Sequence, residues 1–211
     1  ALFLKSDMIL ELQENAVLAG IYDRARTPIL PGQIEYDNED GYYNLGSWEG
    51  NPIDSFASMI TGIYVKNVTI CGKGVLDGRA DFENWWSRPK DKIRAWRPRM
   101  IFLNHCENIT VVGVTVQNSP AWNLHPYFSN QIRFLDMEVK GPANSHNTDG
   151  CDPESCTNVE IAGVHFSVGD DCIAIKSGKI YMGKKFKVPS KHIHIRQSWM
   201  QDGHGAVTVG S

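Results

Sequence analysis

Three runs of the sequence decide the fold: Asn130-Gln-Ile-Arg-Phe, Asn158-Val-Glu-Ile-Ala and His192-Ile-His-Ile-Arg. Each run alternates apolar and polar residues, the pattern of a β-strand with one buried face. Overlaid by their first residues, the runs predict successive coils of one solenoid, with parallel strands stacked about 4.8 Å apart.

The run starts recur along the chain at Asn67, Asn108, Asn130, Asn158 and His192, separated by 41, 22, 28 and 34 residues. The shortest interval approximates one bare coil, and the longer intervals add insertions. A repeat of this size indicates a solenoid, in which each unit buries its apolar side only against its neighbours. We expect the recurring Asn to form a stacked ladder, which makes Asn67-Val-Thr and Asn108-Ile-Thr structural rather than glycosylation sites.

Three polar segments interrupt the strand-like sequence: Asn147-Thr148-Asp149, Gly169-Asp170-Asp171 and Gly203-His204-Gly205. Asn, Asp and Gly are ordinary residues of tight turns, so any one segment fits a plain corner of the chain. Three such segments in register favour a functional site.

The overlay places residues of these segments in two columns. Asp170 lies twelve residues after one run start and His204 lies twelve after the next, which predicts a shared column. Asp149 and Asp171 each lie six residues before a serine that ends its block, which predicts a second column beside the first. Three carboxylates and an imidazole then share a patch one or two strand spacings across.

Carboxylates this close cannot all ionise independently, so the pKa of at least one of them should rise. A protonated carboxyl beside an ionised one is the arrangement that glycoside hydrolysis uses. The first protonates the leaving oxygen and the second activates water. The patch therefore predicts acid/base chemistry.

In order and spacing, the three polar segments resemble those of the polygalacturonase family of glycoside hydrolases (family 28). The wider strings Asn147-Thr-Asp-Gly-Cys-Asp-Pro and Gly169-Asp-Asp-Cys-Ile-Ala-Ile-Lys-Ser-Gly resemble its bacterial and plant exo-type branches. The similarity runs through the whole chain. It implies an all-β fold, a right-handed single-stranded parallel β-helix of the pectin-lyase-like kind, of which the chain would be a part.

The resemblance implies a hydrolase that cleaves α-1,4-galacturonosidic bonds of pectin or polygalacturonate with inversion at the anomeric carbon. On that reading Asp170 is the general acid, and Asp149 and Asp171 position and activate water. His204 holds the Asp170 carboxyl in its protonation state.

Four further residues are candidates for substrate binding: Asp152, Lys176, Asn123 and His125. Residues 172–201 contain seven Lys and Arg but no Asp or Glu, which suits a polyanionic sugar beside catalytic carboxylates. Solvated loop lysines are the competing interpretation. Asn123 and His125 precede the first polar segment by one coil, where a hydrogen-bonded scaffold histidine is equally expected.

We expect residues 1–211 to form a single β-helix segment with insertions at about 22–56 and 80–99. The first is rich in Gly and Pro and predicts a long loop, either an ordinary surface excursion or a closure of one end of the cleft. The second combines tryptophans with Lys and Arg, which suits a sugar acid or a packed element with solvated charges.

Composition narrows the function classes. The chain has 42% hydrophobic residues, a net charge of −3 and no apolar stretch near eighteen residues, which indicates neither nucleic-acid binding nor a membrane span. Five cysteines cannot all pair within the chain, although Cys151 and Cys156 are close in sequence. No Cys and His spacing matches a zinc site, so we predict no metal and no cofactor. We expect a monomer.

Localisation and substrate stay open. The family role favours a secreted or periplasmic protein, whereas the odd cysteine count and the lack of a visible signal peptide favour the cytoplasm. Rhamnogalacturonan or xylogalacturonan is the alternative substrate. A non-catalytic carbohydrate-binding β-helix is the second alternative, because the family's Arg-x-Lys pair does not follow Gly203-His204-Gly205 within these 211 residues. Both ends read as cut, so we expect exposed strand edges and a chain that is poorly soluble or inactive alone.

Overall fold

The computed structural model describes residues 1–32 and 45–210. Most strands lie in three stacks of parallel strands, named here sheets A, B and C. Sheet A contains Leu2–Phe3, Ile60–Ile63, Ile101–Asn104 and Leu124–Tyr127, and single pairings at Cys151 and Glu154 extend it to Ile173–Ile175 and Val207–Val209. Sheet B contains Met8–Leu12, Lys66–Gly72, Glu107–Val112, Asn130–Leu135, Thr157–Ala162 and Lys191–Arg196. Sheet C contains Val17–Ala19, Val75–Asp77, Thr115–Gln117, Glu138–Lys140, His165–Ser167 and Trp199–Gln201.

The chain visits the sheets in the order A, B, C and then returns to A one coil further on. Each strand therefore pairs with the equivalent strand of the next coil, as in the pairing of Thr157–Ala162 with Lys191–Arg196. This is a parallel β-helix, and the predicted fold class is confirmed.

Columns of apolar side chains fill the interior, one residue from each coil. In sheet B, Val68, Ile109, Ile132 and Val159 lie in register, and all four are essentially inaccessible to solvent. Polar residues between them, such as Glu160, face outward. The alternation works because successive strand residues point to opposite faces, so one period-2 pattern repeated per coil builds a continuous core.

Near the first residues of the sheet B strands, side chains from successive coils form a hydrogen-bonded ladder. Asn108 donates from Nδ2 to Asn67 Oδ1 at 2.9 Å, and Asn67 donates to Asp7 Oδ1 at 2.7 Å. Each has a left-handed backbone, with φ of 53° at Asn108 and 56° at Asn67. Asn tolerates this conformation better than most residues, which explains its recurrence at the corner. The expectation of a structural ladder is confirmed at these positions.

One step of the overlay is wrong by one residue. The sequence set Asn130 level with Asn158, but Asn130 pairs with Thr157, which puts Gln131 opposite Asn158. Gln131 has the left-handed φ of the column, 57°, and Asn130 does not. Asn130 still joins the ladder through its side chain, because Asn158 donates to its Oδ1 at 3.0 Å.

Two antiparallel hairpins and one helix lie outside the coils. Ile29–Leu30 pairs with Ser55–Phe56, and Ser47–Trp48 pairs with Asn51–Pro52. The helix spans Lys179–Phe186, so Lys179, Lys184 and Lys185 lie on a helix and not in the loop of the competing interpretation. With eight residues, this helix is too short to cross a membrane, and the described residues contain no helix that could.

The second hairpin and the helix meet above the outer face of sheet A. The Met182 N–H donates to Gly50 O at 3.1 Å, and Lys179 Nζ lies 3.0 Å from Glu49 Oε2. Met182 also packs with Phe102 and Tyr127, outward-facing residues of sheet A. The described parts of the first insertion, residues 22–32 and 45–56, thus include a hairpin that lies over this sheet. Residues 33–44 of this insertion lie outside the described residues.

All five cysteines are unpaired. Cys106, Cys151, Cys156 and Cys172 lie in the apolar core, where a thiol packs as a small hydrophobic group.

Candidate active site

The three polar segments are the turns that lead from sheet C back into sheet A. Because Cys151, Ile173 and Val207 are in register in sheet A, Asp149 lies level with Asp171, two residues before each strand. Backbone hydrogen bonds join the levels, with Gly150 N donating to Asp171 O at 2.9 Å. Successive coils therefore bring the segments together on one side of sheet A, in the register of the sequence overlay.

The three aspartates form a compact cluster. One carboxylate oxygen from each of Asp149, Asp170 and Asp171 lies within 4.8 Å of the other two. His204 Nδ1 lies 3.3 Å from Asp170 Oδ1, and its ring is largely exposed. Asp149 is 5% exposed, whereas Asp170 and Asp171 are half-buried. The cluster presents two carboxylates and an imidazole to solvent above a third, deeper carboxylate.

Two glycines lie where the third segment packs closely against the second. A Cβ on Gly203 would lie 2.5 Å from Cys172 Sγ, and one on Gly205 would lie 2.8 Å from Asp171 Oδ1. The absence of side chains lets the backbone around His204 approach the aspartate turn closely.

Buried polar contacts hold the first segment. Arg97 donates from Nη2 to Asn147 Oδ1 at 2.7 Å and from Nη1 to His146 O at 2.8 Å. Thr148 Oγ1 lies 2.6 Å from Ser145 Oγ and accepts from Gly169 N at 3.1 Å. Arg97 and Thr148 thus fix the turn that carries Asp149.

The four substrate-binding candidates lie beneath the cluster. Asn123, His125 and Asp152 are at most 1% exposed, and Lys176 is 4% exposed. Lys176 Nζ lies 3.2 Å from Asp152 Oδ1 and 3.8 Å from Asp149 Oδ2. The structure therefore places these side chains among protein groups.

Asn123 and His125 have protein partners of their own. The Asn123 side chain donates to Asp149 O at 3.0 Å and to Thr148 O at 3.2 Å. His125 Nε2 lies 2.9 Å from Glu154 Oε2. Both side chains support the floor of the site.

Burial changes the protonation of these groups. Desolvation, with the neighbouring Asp152 charge, holds the pKa of Asp149 well above its usual range. Desolvation also raises the pKa of Asp152 to about 7 and that of Glu154 to about 7, although nearby cations oppose it. The pKa of His125 is held well below its usual range by desolvation and by Arg99, so this imidazole is neutral.

Aromatic rings and a buried arginine form the wall next to this floor. Trp122 stacks on Trp48 with ring centroids 4.4 Å apart, and Lys176 Nζ lies 4.6 Å from the Trp122 ring. The Arg99 guanidinium contacts Ser47 O and lies 5.2 Å from the Trp122 ring. The hairpin of the first insertion is thereby joined to the side of sheet A that carries the aspartate cluster.

Two interpretations of the second insertion were a sugar-acid site and a packed element. The residues nearest the site form a packed element. Trp85 and Trp86 are buried against Phe56, and Arg97 and Arg99 are buried. Desolvation lowers the pKa of each arginine to about 10, which leaves both charged at neutral pH. These cations bind protein oxygens.

In the basic stretch, Lys176, Lys179 and Arg196 pair with carboxylates of the protein, whereas Lys184, Lys185, Lys187 and Lys191 are exposed. Lys179 pairs with Glu49, and Arg196 Nη2 lies 2.6 Å from Glu160 Oε1.

Among the described residues, the one grouping of carboxylate, His and Cys side chains close enough to surround a cation is the aspartate cluster itself. The Lys176 ammonium, 3.8 Å from Asp149 Oδ2, places a positive charge beside the buried member of this cluster.

Sequence reasoning did not single out Trp122 and Glu154. The position of each residue in the sequence could have identified it. Trp122 lies two residues before the strand Leu124–Tyr127, the position that Asp149 holds one coil later. Glu154 follows Asp152 by two residues, so both face outward from sheet A.

Comparisons with known proteins agree with this geometry. The profile of Glycosyl hydrolases family 28 matches residues 40–211. A probable polygalacturonase of Vitis vinifera is 33% identical over 92% of this chain and 38% of its own length. An endo-polygalacturonase of Pectobacterium carotovorum subsp. carotovorum is 31% identical over 83% of this chain and 44% of its own length.

A hyperthermoactive exopolygalacturonase from Thermotoga maritima has a similar structure, with a TM-score of 0.83 and 29% identity. The match covers 99% of this chain and 52% of that one. The chain thus spans about half, or less, of the length of these relatives. On the profile match, the fold and the register of its aspartates, the chain belongs to glycosyl hydrolase family 28.

Proposed function

We propose that the protein of which this chain is a part hydrolyses the α-1,4-galacturonosidic bonds of polygalacturonate or pectin. The observation that carries the proposal is the cluster of Asp149, Asp170 and Asp171, with carboxylate oxygens within 4.8 Å of one another. The relatives are named as polygalacturonases, which supports the choice of substrate.

Each member of the cluster takes one role. Asp170, half-buried and 3.3 Å from His204 Nδ1, protonates the leaving oxygen. Asp149 and Asp171 lie level with each other on adjacent coils and hold the attacking water. His204, whose Nδ1 lies 3.3 Å from Asp170 Oδ1, holds the Asp170 carboxyl in its protonation state.

The four buried candidates act behind this cluster. Asn123 and His125 fix the floor through their hydrogen bonds, and Asp152 and Lys176 set the electrostatics under Asp149. Their burial is the reason that we assign them no direct sugar contact.

Substitution of Asp170 by Asn tests the assignment. Asn has the size of Asp but cannot protonate a leaving group, so hydrolysis of polygalacturonate should fall by a factor of about 10² to 10⁴. Circular dichroism checks the fold. Asp136→Asn is the matched control, since Asp136 lies outside the cluster in the turn after Asn130–Leu135. Near wild-type activity in Asp170→Asn would refute the assignment.

The stereochemistry requires a separate test. Inversion is implied by the family resemblance, whereas inverting glycosidases usually separate their carboxylates by about 6.5–9.5 Å and retaining ones by about 5–5.5 Å. The single oxygens compared here lie within 4.8 Å of one another, which is below both ranges and selects neither outcome. Proton NMR of the first anomer released decides: a β-anomer from the α-linked substrate indicates inversion, and an α-anomer indicates retention.

Rhamnogalacturonan and xylogalacturonan are the alternative substrates on the same scaffold. Reducing-end assays on homogalacturonan beside the two branched polymers separate these possibilities. A protein that binds oligogalacturonate but cuts none of the three polymers would instead be a carbohydrate-binding β-helix.

A further inference from the structure

Lys176 lies between two carboxyl groups in the floor of the site. Its Nζ is 3.2 Å from Asp152 Oδ1 and 3.8 Å from Asp149 Oδ2, and the side chain is 4% exposed. Strand pairing sets Lys176 level with Glu154, and sets Ala174 level with Asp152. Because alanine is small, the lysine has room to reach diagonally across it to Asp152 and on to the turn of Asp149.

One ammonium cannot neutralise both carboxylates. A second ionised carboxylate in this buried place would lack a partner, and an unpaired buried charge is costly. The pKa shifts agree with this argument: desolvation raises the pKa of both Asp149 and Asp152. Burial alone would lower the pKa of Lys176, but Asp152 and Asp149 hold it above its ordinary value, so the lysine stays charged.

We propose that Lys176 is the positioning residue that favours the ionised form of Asp149, and that Asp152 competes with Asp149 for its ammonium. With one ammonium for two carboxylates, an ionised Asp152 holds Lys176 and opposes the ionisation of Asp149. This inference rests on the proposed function only in giving Asp149 a role in activating water. The competition itself depends on the contacts alone.

Other charged and titratable groups surround the pair from each neighbouring element. Their fields act on Asp149 and Asp152 together or from further away, and the described residues offer no other ammonium or guanidinium within 4.0 Å of either carboxyl. These groups are Arg97, Arg99, His125, Glu154, Asp170, Asp171 and His204.

Two substitutions should shift the titration of Asp149 in opposite directions. Asp152→Asn removes the competitor, so Lys176 serves Asp149 alone and the midpoint should fall by about one pH unit or more. Lys176→Met removes the cation, so the midpoint should rise by about as much. A purely structural role predicts no such opposition, because loosening the site shifts both variants the same way.

The titration is followed by NMR on the full chain, with ¹³C-carboxyl-labelled Asp and Asp149→Asn to assign the signal. Glu154→Gln is the matched control, because Glu154 is an equally buried carboxyl that contacts His125 Nε2 at 2.9 Å. Its effect on the Asp149 midpoint should be less than a third of that of Asp152→Asn. Asp152→Asn is nearly isosteric, so it keeps the test open if Lys176→Met fails to fold.

Opposite shifts support the proposal, and equal or same-direction shifts overturn it. If polygalacturonate is hydrolysed, the acid limb of the kcat profile should move with the NMR midpoint in each variant. Opposite NMR shifts in a protein that cuts no pectic polymer would uphold the competition and reject the proposed function. If the variants hydrolyse polygalacturonate but the Asp149 midpoint measured by NMR does not shift, the competition is rejected and the proposed function stands.

Discussion

Burial decides what each carboxyl near the site can do, more than its place in the sequence. Glu154 is fully buried, and desolvation raises its pKa from 4.5 to about 7 even though Arg99 and Lys176 oppose the shift. A carboxyl whose pKa is higher in the folded state holds a proton there that the unfolded chain has already released. Glu154 therefore costs stability as the pH rises through the window from about 4.5 to about 7.

Glu154→Gln should reduce this dependence on pH. The amide keeps a partner for His125 but cannot ionise, so the variant should gain stability relative to wild type between pH 5 and pH 8. The gain is at most about 3 kcal/mol. Urea unfolding at several pH values measures it. A stability difference between the two proteins that stays constant with pH would contradict the assigned shift.

Each coil of the β-helix turns into sheet B through a residue in the left-handed conformation. Asn67, Asn108, Asn158 and His192 all have φ between 53° and 57°. The corner is therefore a repeated backbone feature, and the side-chain ladder is added to it. Asn130 separates the two effects, because it accepts a ladder hydrogen bond without the left-handed backbone.

Substitutions at Asn108 and Asn130 should show opposite preferences. At Asn108, Ala should be less stable than Gly by about 1 kcal/mol, since a Cβ is strained at positive φ. At Asn130, within a strand, Gly should be less stable than Ala by about 0.5–1 kcal/mol. Urea unfolding of the four variants checks this. The same order of Ala and Gly at both positions would show that the corner backbone does not control stability.

At the scale of the whole molecule, two distant segments close over one face of the β-helix. The hairpin around Gly50 and the helix Lys179–Phe186 meet, although about 130 residues separate them in sequence. The contact is close: a Cβ on Gly50 would lie 2.0 Å from Gly178 O, and φ at Gly50 is 71°. Met182 of the helix covers Phe102 and Tyr127, and Trp48 of the hairpin stacks on Trp122 in the wall of the site.

Gly50→Ala should separate the hairpin from the helix without unfolding the coils. The Met182 amide, which donates to Gly50 O, should then lose protection from hydrogen exchange by at least tenfold. Gly141→Ala is the control, because a Cβ there meets only Ser145 Oγ, at 3.7 Å. Unchanged exchange at Met182 in Gly50→Ala would show that the two segments are not joined in solution.

The sequence by itself determined the solenoid, its core and the convergence of Asp149, Asp170, Asp171 and His204. It could do so because alternation within a strand and the turn residues after it are local, and because equal spacing from coil to coil translates directly into register. The one-residue error at Asn130 has the same origin, since a residue type was used to mark a corner that is defined by backbone conformation.

Only the tertiary structure decided which polar groups are buried. Lys176, Asp152, His125 and Asn123 are candidates for substrate binding in the sequence because they lie close to the polar segments or one coil before them. They are buried because the hairpin, Trp122 and the neighbouring turns cover the outer face of sheet A. Burial of this kind depends on contacts between segments far apart in sequence, and desolvation by those contacts sets the protonation of the carboxyls.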